Sequence, residues 1–247
     1  MKTSPSPPKP PIGQAPGKKK AVAAMFDSIA PRYDLLNRIL SAGIDQQWRR
    51  KAVDMLKPYH PQRILDIATG TGDLAIMAAR RLSPKKVVGV DISEQMLRIG
   101  QQKIAAQELN HLITLQKGDS EKLPFSDNQF DAVLVAFGVR NFENLSKGLS
   151  EMHRVLKPGG HVVILEFSHP RRFPIRQLYS FYAHHILPRI GQLFSKNEAA
   201  YQYLPESVEA FPDGTDFLKE LTTAGFTHTQ WHPLTFGIAS IYTAEAT

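Results

Sequence analysis

Short apolar runs alternate with helical patterns through residues 63–167. The apolar runs fall at residues 63–68, 86–91, 112–116, 130–136 and 161–167. Between them, apolar positions recur at helical spacing in residues 74–82, 94–107 and 145–156. Strands that alternate with helices in this way form a parallel sheet with right-handed crossovers.

The two ends of the chain depart from this alternation. Residues 22–40 show a helical pattern that Pro31 interrupts, and residues 49–56 add a short helix. An aromatic-rich insertion covers residues 170–211. After it we predict a helix at 214–224 and strands at 226–232 and 237–244, an arrangement that allows one antiparallel strand.

The length of 247 residues suits one α/β domain, and the hydrophobic content of 42% suffices for a large core. We therefore predict an α/β fold with a doubly wound, mostly parallel seven-stranded sheet. A single domain would span residues 21–247. Its helical cap would come from residues 21–57 and 170–211.

Charge and composition narrow the class of protein. Five lysines precede the first acidic residue, Asp27, so most of the net charge of +7 lies in the first 20 residues. That segment is rich in proline, and we predict a disordered basic tail over residues 1–20, with no nucleic-acid partner. The chain has no cysteine and no long apolar run, which indicates a cytoplasmic protein without a membrane span.

A glycine-rich loop follows the first predicted strand. Gly70 and Gly72 open G-x-G-x-x-A, and Asp91 ends the second strand, where a carboxylate can accept hydrogen bonds from ribose hydroxyls. Ile92 follows Asp91 and is placed in the same site. This pattern alone fits a nicotinamide enzyme as well as a methyltransferase.

Two carboxylates favour the methyltransferase. Asp66, before the glycines, would crowd a pyrophosphate but suits the cationic amino-acid part of S-adenosylmethionine. Asp119 and Ser120 follow the third strand, where they can hold an adenine amino group. The segment from Arg154 to Gly160 (RVLKPGG) is also typical of class I S-adenosylmethionine methyltransferases. All of these lie at the carboxyl ends of strands, where α/β sheets bind ligands.

The loop after the fourth strand narrows the range of possible substrates. Ala136 to Val139 (AFGV) lacks the Asn-Pro-Pro-Tyr pattern of amino-group methyltransferases that act on nucleic-acid bases. The absence of cysteine excludes the covalent route to unactivated pyrimidine carbons. What remains is a substrate that is already nucleophilic or becomes so on losing a proton.

Several motifs resemble the ubiquinone/menaquinone C-methyltransferase family. They are MFDSIAPRYDLLN from Met25, ATGTGD from Ala68, FGVRN from Phe137 and EFS from Glu166. The resemblance implies methylation of a ring carbon of a polyprenylated quinol, most often demethylmenaquinol, with a methoxy-benzoquinol or another lipid phenol as alternatives. It also implies that Thr69, Asp91, Asp119 and Ser120 contact the cofactor. Some relatives have serine where this chain has Ala136.

Arg140 is the leading catalytic candidate. Its fixed charge can stabilise a phenolate and orient a water that takes the phenolic proton. Asn141 could hold the second hydroxyl, and we expect Tyr33 and Asn37 to line the pocket from the cap. Two alternatives stay open: a purely structural ion pair of Arg140 with Glu143 or Glu166, and a core-packing role for Tyr33.

The insertion at 170–211 combines apolar residues with basic flanks. That suits peripheral contact with a membrane or a prenyl chain, and packing onto the sheet or a homodimer interface is the alternative. No metal site is expected. A scaffold that binds the cofactor without turnover is disfavoured by the intact set of Asp66, Gly70, Gly72 and Asp91.

Overall fold

The computed structural model describes residues 9–182 and 198–247, without the side chains of Leu36, Leu40, Glu198, Ala199 and Tyr201. Seven strands form one sheet in the order β3-β2-β1-β4-β5-β7-β6. The strands are β1 (Arg63–Ile67), β2 (Lys86–Asp91), β3 (Ile113–Lys117), β4 (Phe130–Ala136), β5 (Leu156–Phe167), β6 (Phe226–Leu234) and β7 (Ala239–Ala246). The predicted seven-stranded sheet is confirmed.

Strand direction follows the predicted pattern. β1 to β5 pair in parallel, whereas β7 runs antiparallel to both β5 and β6. The central strands β1 and β4 are largely buried because helices cover each side of the sheet. One difference is that β5 begins at Leu156, five residues before the apolar run at 161–167 from which we predicted it. Its register against β4 shifts between Phe130 and Ala132.

Nine described helices surround the sheet. They are α1 (Lys18–Ile29), α2 (Tyr33–Leu40), α3 (Ile44–Asp54), α4 (Asp73–Leu82), α5 (Glu94–Ala106), α6 (Leu145–Val155), α7 (Ile175–Phe181), α8 (Glu198–Glu209) and α9 (Thr215–Thr223). One core cluster packs α3, α4 and α5 on one face of the sheet. The other packs α6 and α9 on the opposite face.

A third apolar cluster forms the cap over the carboxyl edge of the sheet. Val22 and Met25 of α1 pack against Ala200 and Tyr203 of α8, and all four are buried. At about 1.5–3 kcal/mol for each large apolar side chain buried, this contact fastens two distant parts of the chain. Residues 183–197 of the predicted insertion lie outside the described residues.

The predicted disordered tail over residues 1–20 is wrong at its carboxyl end. Helix α1 begins at Lys18, which is 2% exposed and donates from Nζ to the carbonyls of Arg140 (2.9 Å) and Phe142 (3.1 Å). Lys9 forms an ion pair of 2.8 Å with Glu206. The charge and proline content of this segment predicted disorder. They could not reveal these contacts, because the acceptors lie far away in the sequence. Residues 1–8 lie outside the described residues.

Candidate active site

Two cavities lie beside the carboxyl edge of the sheet and share a wall. The first, the glycine-loop cavity, has a volume of about 670 Å³ and is lined by the loops after β1, β2, β3 and β4 and by α1. The second, the cap cavity, has a volume of about 1170 Å³ and is lined largely by α1, α2, α3, α7 and α8. Phe26, Tyr33 and Phe137 line both cavities, so a ligand in one is close to a ligand in the other.

The loop after β1 turns tightly beneath the first cavity. Gly70 and Gly72 have φ values of 55° and 80°, in the left-handed region that glycine adopts without strain. The loop after β4 approaches it closely, because a Cβ placed on Gly138 would lie 2.6 Å from the Cβ of Ala68. Gly138 therefore permits the close approach of the two loops that frame the glycine-loop cavity.

Asp91 ties the glycine loop to the start of α5. Its Oδ2 accepts a hydrogen bond from the Gly70 amide (2.8 Å) and its Oδ1 accepts one from the Ser93 amide (2.8 Å). Burial raises the pKa of Asp91, although these amide hydrogen bonds act in the opposite direction. The carboxyl group lines the cavity in a fixed orientation, with acceptor capacity left for a ligand.

Asp66 lies beneath the loop and is absent from the cavity lining. It is 1% exposed, and its Oδ2 accepts a hydrogen bond of 2.5 Å from Thr69 Oγ1. Its Oδ1 has no hydrogen-bond partner among the described residues. Burial raises the pKa of Asp66 to about 7. Asp66 and Thr69 therefore support the loop from within, and Gly72 also lies outside the lining.

Acidic groups dominate the far end of the glycine-loop cavity. Asp119, Glu121 and Glu143 line it together with Ser120, and Lys19 is the cation that reaches in from α1. Lys19 Nζ lies 2.7 Å from Asp119 Oδ2 and 3.2 Å from Glu121 Oε2. With Asp91, the lining holds more carboxyl groups than cations, and this balance favours a positively charged ligand.

Arg140 lines the cap cavity, and hydrogen bonds to Phe137 and Glu166 fix its guanidinium group. Its Nη1 donates to the carbonyl of Phe137 and to Glu166 Oε1, each at 2.7 Å. Glu166 is fully buried and is the ion-pair partner, whereas Glu143 accepts a hydrogen bond from the Lys19 amide. The Nε of Arg140 has no partner among the described residues. The ion pair with Glu166 thus leaves Arg140 with a free donor.

The other predicted substrate residues divide between the cavities. Tyr33 lines both and Asn37 lines the cap cavity, as expected for groups on the cap. Asn141 lines the glycine-loop cavity instead, with Nδ2 donating to the carbonyl of Phe137 at 3.4 Å. Its Oδ1 lacks a partner among the described residues, and its Nδ2 shares the Phe137 carbonyl with Arg140 Nη1.

Sequence reasoning missed several groups in the cap cavity. Asp45 and Arg49 line it from α3, and Tyr179 and Tyr203 line it from α7 and α8. The four-residue spacing of Asp45 and Arg49 was the available signal, since residues at this spacing share one face of a helix. The tyrosines come from the aromatic-rich insertion, where the sequence offers no spacing that separates cavity from core.

Neither a metal site nor a membrane span appears in the parts of the chain that the structure describes. No group of three His, Asp or Glu side chains could hold a metal ion there. In residues 9–182 and 198–247, no helix is long and apolar enough to cross a membrane.

The fold and relatives of the chain place it in a known class. The model of the ubiE/COQ5 methyltransferase family matches residues 14–245. The chain is 51% identical over 227 residues to a demethylmenaquinone methyltransferase of Bacteroides fragilis, covering 92% of this chain and 93% of the relative. It is 51% identical over 229 residues to the ubiquinone/menaquinone biosynthesis C-methyltransferase UbiE of Geotalea daltonii, covering 92% and 97%.

A solved structure supports the fold independently. A SAM-dependent methyltransferase of Thermotoga maritima superimposes with a TM-score of 0.61 at 18% identity, over 90% of this chain and 98% of that one. The fold and the glycine-loop site define a class I S-adenosylmethionine-dependent methyltransferase. Within that class, the chain belongs to the ubiE/COQ5 methyltransferase family.

The glycine-loop cavity fits S-adenosylmethionine by its chemistry. Its carboxyl groups suit a ligand that carries a sulfonium and an ammonium group, and apolar Val90, Ile92 and Met96 can pack against an adenine ring. The left-handed Gly70 lets the backbone approach a ligand, since a Cβ there would point into open space.

Proposed function

We propose that this chain transfers a methyl group from S-adenosylmethionine to a ring carbon of a polyprenylated quinol. Demethylmenaquinol is the first candidate, because a relative 51% identical is named a demethylmenaquinone methyltransferase. A polyprenyl methoxy-benzoquinol is the second, because another relative is named for both ubiquinone and menaquinone biosynthesis. The observation that carries the proposal is Arg140 in a large aromatic cavity that shares a wall with the glycine-loop cavity.

In this proposal the strand ends bind the cofactor. Asp91 accepts hydrogen bonds from the ribose hydroxyls, and Asp119 and Ser120 hold the adenine amino group. Ile92 packs against the adenine. Asp66, Thr69, Gly70 and Gly72 shape the loop that the cofactor lies on, with Asp66 acting through its hydrogen bond to Thr69.

S-adenosylmethionine supplies the methyl group as an electrophile and leaves as S-adenosylhomocysteine. The quinol becomes nucleophilic when a phenolic oxygen loses its proton, and an unperturbed phenol has a pKa of about 10. Arg140 stabilises the resulting phenolate and orients a water that takes the proton. The ring carbon then forms the new bond to the methyl carbon as the sulfur–carbon bond breaks. Loss of the proton from that ring carbon to water restores the aromatic ring.

The pKa values of two tyrosines show how burial and the charge of Arg140 act on a phenol in the cap cavity. Burial raises the pKa values of Tyr179 and Tyr203 to about 12, while the charge of Arg140 lowers both. Burial outweighs the guanidinium at these distances. Direct contact of a substrate phenol with the Arg140 guanidinium, which lines the cavity, would favour the ionised phenol more strongly.

The cap also presents apolar residues to solvent, and we propose that they rest on the cytoplasmic face of a membrane. Leu35 on α2 is 57% exposed, Leu178 on α7 is 63% exposed and Phe173 is 82% exposed. Arg172 and Arg176 lie beside them in the sequence and suit anionic headgroups. Sedimentation with phosphatidylglycerol vesicles tests this proposal. A concentration-dependent dimer that buries the same residues would contradict it.

The activity is tested by supplying methyl-labelled S-adenosylmethionine with short-chain forms of the naphthoquinol and the methoxy-benzoquinol. We expect label on a ring carbon, identified by the carbon shift of the product, with the naphthoquinol as the better substrate. Label on a phenolic oxygen, or no transfer to either quinol, would refute the proposed function.

A further inference from the structure

A second polar cluster interrupts the aromatic and aliphatic lining of the cap cavity. Ser41, Asp45 and Arg49 all line it, and Asp45 and Arg49 are buried, with 4% and 8% exposure. Ser41 Oγ donates to Asp45 Oδ1 at 2.7 Å, Gln46 Nε2 donates to Asp45 Oδ2 at 3.4 Å, and Arg49 Nε lies 3.5 Å from that same Oδ2. Residues at four-residue spacing along this part of the cap thus place a carboxylate and a guanidinium together in the cavity.

Arg49 has an unused donor in this cluster. Its Nε is buried and has no hydrogen-bond partner among the described residues, although it lies 3.5 Å from Asp45 Oδ2. An unsatisfied buried donor costs about 1–3 kcal/mol, and more for a charged group. Arg49 also lines the cap cavity, so a ligand oxygen that accepts from its guanidinium would offset part of this cost.

An aromatic pair contacts both this cluster and Arg140. The rings of Phe137 and Phe167 stack with centroids 4.5 Å apart at an interplanar angle of 30°. Arg49 lies over Phe137 at 5.2 Å and Arg140 lies over Phe167 at 5.4 Å. The cavity therefore offers two cationic positions, each beside one ring of the aromatic pair, and a quinol ring carries two oxygens.

We infer that Asp45 and Arg49 bind the quinol hydroxyl that stays protonated, and that they select the reduced quinol over the oxidised quinone. The inference rests on the proposed function, in which Arg140 holds the ionising oxygen. The carboxylate of Asp45 only accepts hydrogen bonds, and it has capacity for one more besides those from Ser41 and Gln46. A hydroxyl donates to Asp45 and accepts from Arg49. A quinone carbonyl can only accept, so its lone pairs face the carboxylate of Asp45 without a hydrogen bond.

This arrangement distinguishes the quinol from the quinone by one charge-assisted hydrogen bond. A site built to pair with a hydroxyl rejects an analogue without it strongly, because its own polar group stays unpaired. Donation to Asp45 also increases electron density on the quinol ring, which favours attack by the ring carbon. The oxidised ring lacks both the proton for Asp45 and the nucleophilic carbon, so excluding it keeps the cavity free for substrate.

Asp45→Asn tests the inference, because asparagine can donate to a carbonyl. The KM for a short-chain naphthoquinol is measured anaerobically with a reductant. Binding of the matching quinone is measured without reductant on protein loaded with S-adenosylhomocysteine, by quenching of Trp48, which lines the cavity. We expect the quinol KM to rise about tenfold and the quinone to bind more tightly, with a smaller change in kcat.

Asp54→Asn is the matched control. Asp54 lies on the same helix but pairs outside the cavity with Arg81 at 2.6 Å and Lys57 at 2.9 Å, so its substitution should change neither measurement. Ser41→Ala, which removes the hydrogen bond to Asp45, should shift both in the direction of Asp45→Asn, by a smaller factor. Folding of each variant is judged by its binding of S-adenosylhomocysteine. If Asp45→Asn does not fold, Ser41→Ala takes its place as the test.

The outcomes separate the two proposals. If the folded variants methylate the quinol and retain the wild-type ratio of quinol to quinone affinity, the role of Asp45 is refuted and the proposed function stands. If the wild-type protein itself transfers no methyl group to a quinol, the proposed function fails first.

Discussion

The two cavities differ in the charge that lines them and in how they are built. The glycine-loop cavity is lined by Asp91, Asp119, Glu121 and Glu143 with Lys19 as the cation that reaches in, whereas Arg49, Arg140 and Asp45 are the charged groups of the cap cavity. The first lining suits a cationic methyl donor and the second suits an anionic phenolate. Ligands of opposite charge would meet at the shared wall.

The construction of each cavity explains its charge. The carboxyl groups of the glycine-loop cavity sit at strand ends, where backbone amides hold Asp91 and Asp119 in place. The guanidiniums of the cap cavity are held by side chains and aromatic rings from separate elements, such as Glu166 of β5 for Arg140. The sheet therefore positions the donor site, and packing of the cap positions the acceptor site.

Removing Arg140 should have the largest effect and should act on one cavity alone. We expect Arg140→Ala to lower kcat about 100- to 1000-fold, the cost of losing one preorganised charge donor, with unchanged affinity for S-adenosylhomocysteine. Turnover and calorimetry measure the two quantities. Combining it with Glu166→Gln avoids an uncompensated buried carboxylate, and the exposed Arg80→Ala is the control. A loss of cofactor affinity instead would mean that the cavities are not separate.

Asp91→Asn is the converse change, in the glycine-loop cavity. It should weaken binding of S-adenosylhomocysteine about 10- to 100-fold, because hydrogen bonds to a charged carboxyl group contribute about 1.5–3 kcal/mol. Once the cofactor saturates, kcat should approach that of the wild type. Asp127→Asn, an exposed aspartate on the loop before β4, should alter neither value. Unchanged affinity in the Asp91 variant would remove the ribose role.

Truncations at the amino terminus should give a smaller effect. Removing residues 1–17 keeps Lys18, whose Nζ fastens the carbonyls of Arg140 and Phe142. Removing residues 1–20 loses this anchor, and we expect kcat to fall several-fold as the loop that carries Arg140 loosens. Lys18→Met in the full chain should reproduce the loss. Equal rates for all three proteins would show that the anchor does not matter for catalysis.

Burial raises the pKa of Asp66 to about 7, and the hydrogen bond from Thr69 and the charge of Arg49 act in the opposite direction. In the unfolded chain its pKa is near 3.8. Between these values the folded protein holds a proton that the unfolded chain has lost, so the stabilisation is present below pH 4 and lost as the pH rises through 7. Asp66→Asn should remove this component from the unfolding free energy measured by denaturant between pH 5 and 8. If the unfolding free energies of the wild type and Asp66→Asn changed in parallel with pH, this prediction would be contradicted.

The sequence predicts the glycine-loop cavity far better than the cap cavity. Apolar runs and glycines locate every strand within a few residues, and Asp91 and Asp119 follow because strand ends converge at one edge of a parallel sheet. Asp66 shows the limit of prediction from a motif, because it is only 1% exposed. The motif does not reveal whether a side chain faces the ligand or the core.

The cap cavity depends on contacts between distant segments. Tyr203 lines it because α8 packs on α1, and no local pattern reports that packing. Arg140 was a candidate from its motif, but only the fold distinguishes Glu166 from Glu143 as its partner. Lys18 was assigned to a tail because its acceptors are the backbone carbonyls of a loop more than 120 residues away.

The most direct test of the two-cavity account is the structure of a complex with S-adenosylhomocysteine and a short-chain naphthoquinol. We expect the adenosine beside Asp91 and Asp119, and the ring in the cap cavity with one oxygen at Arg140. The sulfur and the ring carbon should face each other directly where the two cavities meet, beside Phe26, Tyr33 and Phe137. A quinol ring bound outside the cap cavity, or one remote from Arg140, would contradict the account.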